Sequence, residues 1–158
     1  MSKDEISYQI LYRYYLEKLH STFTRRVDNV LSFALVFLGV GVVVNIGSSL
    51  ILGLCTVCIS ALKMVFRFDT RSTQADKQSR AWLKLFYSRH RFPSDKALFL
   101  TITSLEQDKS EVWSMLIGPA IVMTKTALGK TPIEKLTTGE KLCISLSGAT
   151  KPQPSDHC

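Results

Sequence analysis

The stretch "VVVNIGSSLILG", Val42–Gly53, lies inside the longest apolar run of the chain. Read as helix interior, it makes that run one span; read as a bend, it makes two. Between Val30 and Phe66, 37 residues, Lys63 is the only charged side chain. A single helix of that length is about 55 Å long, against a bilayer hydrocarbon core of about 30 Å. Tilting does not absorb such an excess. Two helices of roughly 17 to 18 residues each do cross the core, provided that the turn between them is short. "NIGSS", Asn45–Ser49, is the only cluster of turn formers in the run. Asn45 and Gly47 tolerate left-handed backbone angles, and Ser48 or Ser49 can cap a following helix. The stretch therefore reads as a bend, with spans at 28–45 and 48–66.

Charge works outward from that hairpin. The chain has 158 residues, of which 21% are charged, and a net charge of +7. A globular chain so charged seldom leaves the 33 residues from Val30 to Leu62 without one charge, because core elements need a polar face. Arg13, Lys18, Arg25 and Arg26 precede the run, and Lys63, Arg67, Arg71, Lys77, Arg80, Lys84, Arg89 and Arg91 follow it. Basic residues crowded against span ends meet anionic headgroups and set topology. The bend carries no Lys or Arg, so both termini are expected in the cytoplasm. No nucleic-acid-binding motif accompanies the charge, and no nucleic-acid partner is expected.

The flanks read as helical. Ser2 and Glu5 have the spacing of a capping box. Tyr8, Leu11, Tyr12, Tyr15, Leu16 and Leu19 then recur at intervals of three and four, which predicts an amphipathic cytoplasmic helix over 1–27. That face suits either a membrane interface or another helix. After the hairpin, helix is expected to continue through Asp69–His90, with Trp82, Leu85 and Phe86 meeting Phe66 or Phe68, until Pro93 breaks it. Shorter helices are expected from Ser94 to Glu106 and from about Asp108 to Gly129, the latter kinked at Gly118-Pro119. The uncharged Val112–Thr124 is too short for a further span and suits a buried or interfacial helix. The cytoplasmic helical region thus covers 67–130, and 131–158 reads as a flexible tail.

Converging reactive groups are not evident. Cys55 and Cys58 have zinc or redox spacing, "CTVC", but lack a second ligand pair and read as small packing residues. His20, His90 and His157 have no carboxylate or cysteine at a catalytic spacing. "LGKT", Leu128–Thr131, lacks the upstream glycine of a phosphate-binding loop, because position 124 is Thr. The chain is expected to be no enzyme and to use no cofactor or metal. The second span does carry a stripe: Ser49, Gly53, Thr56, Ser60 and Lys63, extended by Arg67, recur at intervals of three and four. Such a stripe lets helices approach closely, or lines a water-filled path in an oligomer. Gly39 and Gly41 offer a second close-contact surface. Arg25, Arg26, Lys63, Arg67 and Arg71 are the basic residues expected to flank the membrane.

The order of parts resembles a known family. A basic, tyrosine-rich helix ("YRYYLEKLHSTFTRR", Tyr12–Arg26) leads into a tight two-span hairpin. A long basic helix with aromatic residues follows, then a closing helix, "EVWSMLIGPAIVMTKTALG", Glu111–Gly129. Over residues 5–130 this is similar to the SLATT family of two-transmembrane effector domains of prokaryotic conflict systems. The resemblance implies an effector of the bacterial inner membrane that oligomerises and perturbs or permeabilises it in antiphage defence, triggered by a sensor or regulatory partner. The alternative expectation is a prophage-type exclusion or interaction protein that acts through its cytoplasmic helices without forming a pore. The fold class expected is an all-α membrane protein, with a transmembrane hairpin between an N-terminal amphipathic helix and C-terminal cytoplasmic helices.

Overall fold

The computed structural model of the chain describes residues 3–44, 48–92, 95–107, 113–131 and 136–147. Every secondary-structure element among them is helical. Helix α1 runs unbroken over Lys3–Val43, about 62 Å at 1.5 Å per residue. The amphipathic helix and the first apolar segment, divided at 27/28 in the sequence reading, are one helix. No Gly or Pro occurs between Val27 and Leu38, so nothing in the chain stops a helix there. Helix α2, Ser49–Phe66, returns alongside α1. The break between Val43 and Ser49 falls at the expected bend, although Asn45, Ile46 and Gly47 lie outside the described residues.

Helix α3, Phe68–Ser88, follows after a single residue. Arg67 sits in the left-handed region, φ 45° and ψ 49°, where a side chain costs roughly 1–2 kcal/mol. The hydrogen-bond ladder spans the break: Arg67 N–H donates to Lys63 O at 3.0 Å, and Arg71 N–H donates to Arg67 O at 3.1 Å. Phe66 and Phe68, either side of it, stack on each other at 5.4 Å. The expected helix through His90 is thus interrupted once and ends in a 3-10 turn, Arg89–Arg91. Helix α4 covers Asp95–Gln107.

The lower half of α1 is the spine of a bundle with a core on each side. On one side Ile10 packs with Trp82 and Leu85 of α3 and Leu98 and Ile102 of α4. Trp82 and Leu85 therefore meet Ile10 and not Phe66 or Phe68. On the other side Leu16, Leu19 and Phe23 pack with Leu116, Ala120 and Cys143. Each Leu, Ile or Phe among them, fully buried, contributes about 1.5–3 kcal/mol. Gln78 Nε2 ties α3 to the end of α4 by donating to Leu105 O at 2.6 Å. The tyrosine face of α1 is thereby spent on helix packing, one of the two uses it suits.

Two expectations for the last third need correction. A 3-10 turn, Ser114–Leu116, opens the closing helix, and α5 covers only Ile117–Ala127. The start expected near Asp108 lies outside the described residues. Pro119 falls in the first turn of α5, where a missing N–H costs no intrahelical bond, so it begins the helix and does not kink it. The helix stops as expected at Gly129, φ 70°. Gly129 N–H donates to Thr126 O, and Lys130 N–H to Lys125 O, the bond pair of a Schellman cap. Then Thr138–Ser147, within the expected tail, forms helix α6. "TTGE", Thr137–Glu140, explains it: Thr137 N–H and Oγ1–H both donate to Glu140 Oε2 at 2.7 Å, the carboxylate half of a capping box. Cys143 and Ile144 bury the helix against the bundle.

Candidate functional site

The feature that stands apart from the bundle is the upper hairpin. Two helices are long and apolar enough to cross a membrane, and neither apolar window is buried by the rest of the chain. Val30, Phe33, Val36 and Phe37 of α1, and Leu50, Ile51, Leu54 and Val57 of α2, are each 60% exposed or more. An uncovered apolar surface of this extent marks an interaction site.

At its base the hairpin is tied by charge. Lys63 Nζ lies 3.1 Å from Asp28 Oδ1 and donates to Ser32 Oγ. Ser32 Oγ–H in turn donates to Asp28 O at 2.8 Å. Asp28 had no role in the sequence reading. Its partner Lys63, a member of the stripe on the second span, faces α1.

The stripe therefore divides. Ser49 and Ser60 are exposed, while Gly53, Thr56 and Lys63 are half-buried, and of these Lys63 is the one tied to α1. Thr56 Oγ1–H donates to its own helix at Leu52 O, 2.9 Å, which satisfies the hydroxyl without a neighbour. Arg67 leaves the helix at its left-handed turn and does not extend the stripe as helix. The glycines differ in what they face within the chain. A Cβ at Gly41 would touch Leu52 at 3.5 Å, so this residue does face α2; Cβ atoms at Gly39 and Gly53 would meet nothing within 4 Å. Cys55 and Cys58 are exposed on α2, so the packing expected of them is not made within the described residues.

Of the basic flank, Arg25, Arg26 and Arg67 are exposed around the hairpin base, and Arg71 is half-buried. Below them the bundle is held by polar links between elements. Arg13 Nη2 meets Glu106 Oε1 at 2.7 Å, and Asp76 joins Lys18 at 3.2 Å and Arg80 at 2.8 Å. Burial favours the protonated form of Asp76, but hydrogen bonds and charges from Lys18 and Arg80 together outweigh it and lower its pKa. His20 is 1% exposed. Burial, then the charge of Arg71, lowers its pKa below the ordinary histidine value. Among the described residues no group of three His, Cys, Asp or Glu side chains could hold a metal ion. Comparison with protein-family models, curated proteins and solved structures finds no match.

Proposed function

We propose that the chain is an integral protein of the bacterial inner membrane. The upper half of α1 and α2 span the bilayer, and the bundle and both termini lie in the cytoplasm. The observation that carries this is the uncovered apolar hairpin: lipid covers its surface at no desolvation cost, whereas water would not. Helix α2, 18 residues, is about 27 Å long, close to the hydrocarbon thickness. Exposed Arg25, Arg26 and Arg67 at the base, against a bend without Lys or Arg, support the cytoplasmic side for the base.

Within that setting the chain acts as an effector. Copies associate in the membrane through the outward Ser49, Gly53 and Ser60 and perturb or permeabilise it. A role in antiphage defence, with a sensor partner as trigger, follows the family resemblance of the sequence. The test is membrane potential, followed by a voltage-sensitive dye in bacteria induced to make the protein. Depolarisation that precedes growth arrest, lost in Ser60→Leu and Thr56→Leu variants that still insert, is the expected result. A sealed membrane with the protein inserted would remove permeabilisation and leave the anchor.

One observation favours a second reading. Lys63 is engaged by Asp28 across the hairpin, and the bundle has two cores of its own. A membrane-anchored interaction or exclusion protein needs such a bundle, and needs no polar path. Cross-linking in cells that returns one reproducible partner on the bundle, with the membrane sealed, would decide for it.

A further inference from the structure

Helix α1 carries Phe23, Val30 and Phe37 at seven-residue spacing, hence on one face. Phe23 is 8% exposed, whereas Val30 and Phe37 are 65% and 62% exposed. The cover over this face therefore ends just above Phe23. What ends it is Trp113, whose ring meets Phe23 edge-on at 5.5 Å. Leu116, fully buried, pins the 3-10 turn that follows, and this leaves its neighbours Met115 and Ile117 40% and 41% exposed. Exposed Arg25 and Arg26 stand on α1 at the same height.

That height is informative. Phe23 precedes Asp28 by five residues, about 7.5 Å along the axis. If the Asp28–Lys63 pair marks the edge of the hydrocarbon, Phe23 and Trp113 fall in the headgroup layer, which is about 5–8 Å thick per leaflet. Tryptophan is enriched at that level, because its indole is apolar in body and its N–H can meet polar groups. Phe66 and Phe68 mark a similar level on the α2–α3 side.

We infer that Trp113–Ile117 is a third membrane contact, resting in the phospholipid headgroup layer beneath the exposed face of α1. Trp113, Met115 and Ile117 enter the layer, and Arg25 and Arg26 meet anionic phosphates beside them. Continuity with the uncovered hairpin face and the complementary charge select lipid as the occupant. The inference rests on the membrane reading above and adds that the closing segment, not the hairpin alone, seats the bundle on the bilayer.

Brominated phospholipid tests it, because bromine quenches only tryptophan that it can approach. The chain has two tryptophans, and Trp82, 2% exposed in the core beside Ile10, lies about 20 Å further from the hairpin along α1. The full-length protein is reconstituted into vesicles containing anionic lipid, with bromine placed at shallow acyl positions. Quenching of wild-type emission that disappears in Trp113→Phe is the expected result. Vesicle-bound protein without quenching, or with quenching retained in Trp113→Phe, would overturn the contact while leaving the hairpin reading in place. Failure to float with vesicles would overturn both. Met115→Glu supplies a second readout: it should reduce quenching while flotation through the hairpin persists.

Discussion

Lys63 Nζ lies 3.1 Å from Asp28 Oδ1 and thereby fastens α2 to α1 at the foot of the apolar hairpin. The two side chains are 26% and 21% exposed, so water compensates neither fully. In such surroundings a charge without its partner is costly, whereas an apolar pair of similar volume is tolerated. The pair thus fixes which faces of α1 and α2 meet, and with them which residues look outward.

The first prediction concerns this tie. Asp28→Leu and Lys63→Leu should each lower the stability of the detergent-solubilised protein by about 1–3 kcal/mol, since each strands the other charge. The two substitutions combined should recover most of the loss. Thermal unfolding of the four proteins closes a double-mutant cycle, and a coupling below about 0.5 kcal/mol would show the pair to be a surface contact without consequence.

Arg67 is the only non-glycine described residue with positive φ. Arg67→Gly should keep the break between α2 and α3 and raise stability by roughly 1 kcal/mol, because glycine adopts this conformation without steric cost. Arg67→Val should lower it by more than that. Unfolding midpoints rank the three; Gly and Val variants of equal stability would mean that the turn reshapes to suit its residue.

Burial of His20 predicts a pH dependence with a defined sign. Its folded-state pKa lies below the ordinary value of 6.5, so the unfolded chain binds the proton more readily. The contribution to stability is fully present above pH 6.5 and is lost as pH falls from there through the folded pKa. Unfolding midpoints between pH 8 and 5 should decline in wild type more steeply than in His20→Gln. Parallel curves would assign the acid sensitivity to other groups.

The hairpin was legible because its signal is coarse: an uncharged run too long for one span, with one cluster of turn formers. The tie at its foot was also present, unread. Asp28 and Lys63 stand 18 and 17 residues from Ile46, so a bend there brings them to the same height. Helix α6 was missed because its apolar face is short, and the signal that identifies it is the T-x-x-E of Thr137–Glu140. Pro119 misled for a different reason. Whether a proline kinks or starts a helix depends on where the helix begins, and that start is set here by Leu116 packing on α1. Likewise the stripe on α2 is a periodicity that names a face; only the packed position of α1 decides which of its members stay outside.

That division gives the last prediction. Gly53 faces open space in the single chain, whereas Gly41 faces Leu52. Gly41→Leu should therefore disturb the hairpin itself and lower the unfolding midpoint. Gly53→Leu should leave the midpoint of the isolated chain nearly unchanged, within about 0.5 kcal/mol. If copies associate through the outward small residues, the same variant removes the close approach on which packing in lipid depends. Sedimentation in detergent, together with thiol cross-linking through the exposed Cys55 and Cys58, should then report a shift from oligomer to single chain for Gly53→Leu. An assembly that persists in this variant would place the contact between copies on another face of the hairpin, and Ser60 would lose its role with it.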